Sequence, residues 1–433
     1  MPMLLGIDLG TSYLKAGVFE RDGTLRGLGR VALGAVQPAP ERMEVAVADF
    51  WARLRLAVGE ALAGAGVAGR KLAGVSYSSQ ANSFVLLDRA DCALTPLILW
   101  PDRRAAPLDA ETIAFGQAPA HGPVTGMTGA VPERMPAKWR WLVRHEPALS
   151  ARTQRILTIS DYLVHGLTGE ANGDASTAAL TGLLSLPSGE WWPEALTHFG
   201  LREDQLSRPR PPGSLCGQTI SRATERLGLP AGIPFAAGAL DHHAAAIGAG
   251  VGGPVDASLS IGTVLAALAL VDDIGAEPGC IHGGHFGARR YFRLTYDPNG
   301  AGQFEAYQRK HAPDQTVEQL LDRAGRPTAS RHGAAVHDLL VAMAGTLRGL
   351  LVRAAGPQAV RSVAVTGGGA RSGVWLQVTA DVLGVPVRAS PEAEQACLGA
   401  AMLAAVGAGV WPDLPTAMQR MAAAPRIYRP AKN

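Results

Sequence analysis

Apolar residues fall into short runs of strand length at both ends of the chain. The first, Leu4 to Phe19 (LLGIDLGTSYLKAGVF), is two such runs joined at Gly10-Thr11. Aliphatic residues on both sides of a tight turn predict a β-hairpin. Arg21-Asp22-Gly23 signals another turn, and Thr24 to Leu33 reads as a third antiparallel strand. After a loop with Pro38 and Pro40, Asp49 stands where a helix cap is expected. Phe50, Trp51, Leu54, Ala57, Val58, Ala61 and Leu62 then recur at helical spacing, and Leu72 to Tyr77 is the next strand. Strands interleaved with amphipathic helices predict an α/β layered fold.

The hairpin pattern returns downstream. Asp256 to Val271 (DASLSIGTVLAALALV) again sets Gly262-Thr263 between two apolar runs, so the chain reads as two related halves. Just before it, Gly232 to Gly250 is a short strand, a glycine and then Asp241 at the head of an alanine-rich helix. Further on come a strand around Tyr291 to Tyr296 and helices over 302–311 and 336–354. Ser362 to Val387 then runs strand, three glycines, helix, strand. The stretch from Ala105 to Pro230 is looser in pattern and reads as insertions covering the first core.

Composition narrows the function. The 433 residues suggest two or three domains, and 47% hydrophobic with 18% charged residues describes a folded globular chain. A net charge of +3 without a long basic run lacks the electrostatic footprint of a nucleic-acid binder. Cys92, Cys216, Cys280 and Cys397 are too scattered for a zinc knuckle or a redox dithiol, and they suit a reducing cytoplasm. With no signal-peptide pattern and no uninterrupted apolar run of about 18 residues, the expectation is a cytoplasmic protein with no membrane partner.

The candidate chemistry lies in the turns. A glycine beside a small hydroxyl residue can aim backbone N–H groups at an anion, so Gly10-Thr11 and Gly262-Thr263 are candidate phosphate grips. Asp241 reads as a helix-head carboxylate, structural or catalytic. Gly367, Gly368 and Gly369 let a nucleotide approach the backbone, but they do not form a G-x-G-x-x-G fingerprint, and the absence of any Gly-Lys dipeptide excludes a P-loop. Between Ser78 and Arg104 the polar residues Gln80, Asn82, Trp100, Asp102, Arg103 and Arg104 cluster near strand ends, where binding groups are displayed.

Taken in order, the D-x-G-T hairpin, G-A-x-D at a helix head, the S-I-G-T hairpin and T-G-G-G-A-R-S before a helix resemble the FGGY carbohydrate kinases of the actin-like ATPase superfamily. The likeness spans nearly the whole chain, and Glu394 to Gly409 resembles that family's closing helix. The resemblance implies two ribonuclease-H-like domains flanking a cleft, residues 1–250 binding sugar and residues 251–433 binding nucleotide. ATP and Mg²⁺ are the implied cofactors. Asp8 would hold the metal, and Gly10, Thr11, Ser12 and Lys15 would form the first phosphate turn. Gly262 and Thr263 would form the second turn, and Gly302, Gly367, Gly368, Gly369 and Ala370 would meet the nucleotide. Asp241 would be the catalytic base. Gln80, Ala81, Asn82, Trp100, Asp102 and Arg103 would join it around the sugar.

Departures from the family bear on the substrate. Gln80-Ala81-Asn82-Ser83 stands where xylulose kinases read Gln-Met-His-Gly, and the arginine and glutamate of glycerol kinases are missing. Two amides and Asp102 suit hydroxyls, so a small neutral ketose or polyol is expected, with Arg103 and Arg104 structural and a sugar acid as the alternative. The same superfamily contains filament-forming and chaperone ATPases, a second class of function. The chain is short for this family, which implies that peripheral insertions of the kind that mediate oligomer contacts are missing, and a homodimer is the assembly considered.

Overall fold

The computed structural model describes residues 2–253, 255–262, 264–275, 277–285, 291–300, 302–325, 331–390 and 394–431. The first half opens with β1 (Met3–Leu9), β2 (Tyr13–Glu20) and β3 (Leu25–Ala32), followed by α1 (Val47–Ala65) and β4 (Leu72–Ser79). Asp49 lies in the first turn of α1, and the cap position belongs to Ala46, which makes no side-chain cap. The carboxylate still favours the positive end of the helix dipole there. Residues 105–230, read as covering insertions, include α2 (Met135–His145) and β5 (Leu215–Gln218); part of the stretch, with Leu157, Leu163 and Leu227, joins the first core, and part forms a second cluster beside it. Trp139, Leu142, Ile156, Trp191 and Trp192 are buried together there, and Phe84–Leu87 pairs with Arg155–Thr158. β6 (Pro234–Ala236) and β7 (Ala239–Leu240) then lead into α3 (Asp241–Gly248).

The first sheet runs β5-β6-β4-β1-β2-β3, with β7 also on β4. β1 is antiparallel to β2 and parallel to β4. The second half repeats the plan with β8 (Ala257–Ile261), β9 (Leu265–Val271), β10 (Cys280–His285), β11 (Tyr291–Asp297), α4 (Arg331–Ala355), β12 (Val363–Thr366), α5 (Gly373–Leu383), β13 (Val387–Ala389), α6 (Gln395–Gly407) and β14 (Arg426–Tyr428). Its sheet runs β10-β11-β9-β8-β12-β13-β14. In both sheets the hairpin strand that follows the Gly-Thr turn lies beside the first strand, and a parallel strand lies on that first strand's other edge. This is the expected pair of α/β domains. α4 is long and apolar enough to cross a membrane by length and composition, but Val336, Leu340, Met343 and Leu347 are buried in the second core.

α3 and α6 lie where the two sheets meet. Leu4 and Phe19 of the first sheet, Leu268 and Phe292 of the second, and Cys397, Leu398, Met402 and Leu403 of α6 belong to one buried cluster. The approach is so close that only glycine fits. A Cβ on Gly6 would lie 2.0 Å from the Cys397 carbonyl oxygen, one on Gly248 2.1 Å from that of Gln395, and one on Gly399 1.9 Å from that of Ala244. Backbone cannot yield by that much without moving an element.

Gly399→Ala should therefore lower stability by about 1–3 kcal/mol or more. Gly345→Ala in α4, where a Cβ meets nothing within 4 Å, should be neutral or raise stability by up to about 1 kcal/mol. Urea unfolding of the two variants checks this, and equal stability would mean that α3 and α6 are not locked together by backbone contact.

Candidate active site

Strand register builds the centre of the site. Asp8 is opposite Lys15 on β2, Lys15 is opposite Arg30 on β3, and Asp8 is opposite Ser78 on β4. Paired residues in a sheet share a face, so Ser78, Asp8, Lys15 and Arg30 form one polar row across four strands. Ser78 Oγ donates to Asp8 Oδ1 at 2.8 Å, and Lys15 Nζ stands 3.6 Å from Asp8 Oδ2. Lys15 also donates to Glu394 Oε2, just before α6, at 2.8 Å. Burial pushes the Asp8 carboxyl up to about 6, Lys15 and the Ser78 hydroxyl oppose that rise, and the nearby Asp241 and Glu394 add to it. Burial pulls on Lys15 too, but Asp8 and Glu394 more than offset it and hold its pKa above the ordinary value.

Asp241 begins α3 directly after β7, which pairs with β4. The Ser176 hydroxyl accepts from the Leu240 N–H at 2.9 Å, and Asp241 Oδ1 accepts only its neighbour's N–H, that of His242, at 2.7 Å. The second carboxylate is near enough to raise the Asp8 carboxyl and is half-exposed.

A cavity of about 420 Å³ opens next to this row. It is lined by Lys15, Arg30 and Glu394 on one side and by Thr366, Gly367, Gly368, Ala370, Arg371, Arg426 and Tyr428 on the other. The three glycines do different work. Gly367 needs its positive φ of 85°, and a Cβ on Gly369 would meet the Ile261 side chain at 2.3 Å. Only Gly368 faces open space, with Arg371 the nearest neighbour at 4.0 Å. Four cationic side chains around an open backbone loop fit a polyphosphate and its nucleoside. Among the described residues no group of three or more His, Cys, Asp and Glu could hold a metal ion. That suits Mg²⁺, which is commonly bound by one carboxylate together with phosphate oxygens and water.

The first turn joins β1 and β2 as a hairpin. A Cβ on Gly10 would lie 2.8 Å from the Tyr13 carbonyl oxygen, Thr11 Oγ1 accepts from Trp100 Nε1 at 2.8 Å, and Ser12 is exposed. Gly262 is partly exposed at the end of β8, whereas Thr263 lies outside the described residues. Gly302 begins a helix, Gly302–His311, whose Phe304 stacks on Trp375 of α5. Ala81 packs beside the central cluster.

Asp102 is not free for hydroxyls, contrary to expectation, and each amide spends one donor and one acceptor within the protein. Gln80 Nε2 donates to the Gly10 carbonyl at 3.2 Å, and its Oε1 accepts from Ser83. Asn82, with a φ of 62°, donates to the Leu180 carbonyl and accepts from the Met135 N–H. Asp102 is fully buried and accepts from the Met43 and Arg104 N–H groups and from the Arg104 guanidinium. These residues shape the loops. Arg104 also pairs with Glu44, and the exposed Arg103 pairs with Glu133 at 3.0 Å. The sequence reading missed Lys138, which is completely buried on α2 and donates to the carbonyls of Asn82 at 3.0 Å and Leu99 at 2.8 Å. It ties the two loops together from below. Glu394, Arg30 and Arg426 also went unassigned, although the Asp8–Lys15–Arg30 row follows from the register of two short hairpins.

Two domains of this plan around a cleft with a polyanion-binding cavity define an actin-like ATPase fold. The N-terminal domain pattern of the FGGY family of carbohydrate kinases matches residues 3–248 and its C-terminal domain pattern matches residues 226–408. The chain belongs to the FGGY family and is a carbohydrate kinase. It is 27% identical to the L-xylulose/3-keto-L-gulonate kinase of Escherichia coli strain K12, over 94% of this chain and 88% of that protein. It is 28% identical to the xylulose kinase of Bacillus subtilis strain 168, over 100% of this chain and 94% of that protein. The crystal structure of a "xyloylose kinase" from Brucella ovis superposes with a TM-score of 0.87 at 26% identity, covering 99% of this chain and 95% of that one.

Gly368→Leu should weaken ATP binding by about tenfold or more while leaving the fold intact, because the new side chain enters the cavity. Unchanged affinity by titration calorimetry would separate this loop from the nucleotide. Lys138 supplies a pH test. Burial pulls its pKa from 10.5 to about 7, so between those values the unfolded chain holds a proton that the folded protein releases, and stability rises with pH through that window. Lys138→Met removes this term. The wild type should therefore gain on the variant by up to about 1.4 kcal/mol per pH unit above about pH 7, and parallel urea-unfolding curves at about pH 6.5 and 8.5 would refute the buried amine.

Proposed function

We propose that this kinase transfers the γ-phosphoryl group of ATP to a primary hydroxyl of a small ketose, of pentulose or hexulose size, or of a related polyol. The observation that carries the proposal is the pair Asp8 and Asp241, near enough for Asp241 to raise the Asp8 carboxyl, the first buried and ion-paired with Lys15, the second at its helix head accepting the His242 N–H. In this reading Asp241 accepts the hydroxyl proton as the oxygen attacks. The new P–O bond forms on the sugar, the bond to the β-phosphate oxygen breaks, and ADP leaves. Lys15, Arg30, Arg371 and Arg426 neutralise the phosphates, and Gly10, Thr11 and Gly262 offer backbone donors. Asp8 would hold Mg²⁺, which supplies charge neutralisation at the phosphates.

The pentulose size is supported by the two relatives, whose names give xylulose as substrate. Trp100, 41% exposed and hydrogen-bonded to Thr11, offers a flat apolar wall for a sugar beside the phosphate turn. Use of ATP suits a cytoplasmic setting.

Asp241→Asn keeps the shape of the helix head and removes the proton acceptor. It should bind ATP normally and lose about 100-fold or more in kcat, read by ADP release over a panel of ketoses and polyols. A variant within a few-fold of wild type would take the base assignment away from Asp241.

A further inference from the structure

The arginines near the sugar end of the cleft are nearly all committed. Arg103 pairs with Glu133, Arg104 with Asp102 and Glu44, and Arg140 and Arg144 with Asp109. Arg134 differs. It is half-buried, its guanidinium donates to the Gly129 carbonyl at 2.6 Å, and among the described residues no carboxylate forms an ion pair with it, the nearby Glu133 being paired with Arg103. Burial pulls its pKa down to about 10, which still leaves it charged at neutral pH. A half-buried cation without an anion costs free energy, and a guanidinium is the group best shaped to take a carboxylate through two parallel hydrogen bonds.

Its location gives the missing anion a place. Arg134 immediately precedes α2, and the next residue, Met135, gives its N–H to Asn82, so Arg134 stands beside the loop of residues 80–83 that also touches Gly10. The Tyr296 phenol of the second domain is close enough to act on its charge. Tyr296 is opposite Ala266, Ala266 opposite Ser260 and Ser260 opposite Thr366, so Tyr296 shares the sheet face on which Thr366 lines the nucleotide cavity. Arg134 therefore stands on the first domain near Tyr296 of the second; it lines a small cavity with Thr112, His121 and Thr181, and it does not line the cavity of Lys15, Arg30, Arg371 and Arg426. The phosphates have their own cations, and this one is left for the other substrate. Asp102, one of the three groups that suggested a neutral sugar, spends its hydrogen bonds within the protein.

We propose that Arg134 is a specificity-determining residue that binds a carboxylate on the acceptor, so that the preferred substrate is a five- or six-carbon sugar acid, with the carboxylate at the end remote from the phosphorylated hydroxyl. This rests on the kinase reading above. The test is ADP release by the wild-type enzyme with matched pairs, pentuloses and hexuloses against the aldonic and keto-aldonic acids of the same carbon number, followed by Arg134→Gln and Arg134→Lys. The wild type should favour an acid by about tenfold or more in kcat/KM. Arg134→Gln should reduce the acid-to-neutral ratio by about tenfold or more through KM for the acid, and Arg134→Lys should restore part of it. A wild type that turns over neutral sugars and no acid, or a ratio that Arg134→Gln does not move, overturns the assignment while the kinase reading stands. ADP release with neither kind of sugar would overturn both. If Arg134→Gln does not fold, the wild-type preference alone decides.

Discussion

The structure depends on one buried carboxylate. Asp8 sits in the middle of the first sheet at the point where the two domains meet, and an ionised group there is costly unless its partners are built in. Ser78 and Lys15 supply them from the strands on either side, and Glu394 holds Lys15 from the second half of the chain. Residues nearly 400 positions apart are thereby joined at the reaction centre. The pKa near 6 shows that the compensation is incomplete, and a bound cation would complete it.

Such a charge can be held in register only on a rigid base, which backbone contact provides. α3 carries Asp241, α6 follows Glu394, and the two helices touch each other and β1 through Gly248, Gly399 and Gly6. Two carboxylates on different elements are set against each other by contacts that tolerate no side chain at all. The loops above are fixed in another way, by polar groups used up internally. Lys138, Asn82, Gln80 and Asp102 each bond to the protein, and their contribution to recognition is the shape they impose on the pocket.

Much of this was legible in the chain. Strand-length apolar runs and two Gly-Thr turns determined the α/β class and the twofold plan, because strand periodicity and turn chemistry are local properties. The order of four short motifs pointed to the carbohydrate-kinase family, and Asp8, Asp241 and the Gly367–Gly369 loop could be named from sequence. Which face a strand shows, which carbonyl a lysine reaches and whether an amide is free depend on contacts between distant segments. For this reason the hydroxyl-binding role given to Asp102 did not survive, and the packing within residues 105–230 went unrecognised. Asp102 looked available because sequence displays a side chain without its neighbours, and only tertiary structure put the Arg104 guanidinium and the Met43 N–H on it. Arg134 looked like one charge among many for the same reason. Folding paired its neighbours Arg103, Arg104, Arg140 and Arg144 and left this one without an ion pair among the described residues, since ion pairing is set by distances in space that spacing along the chain does not encode.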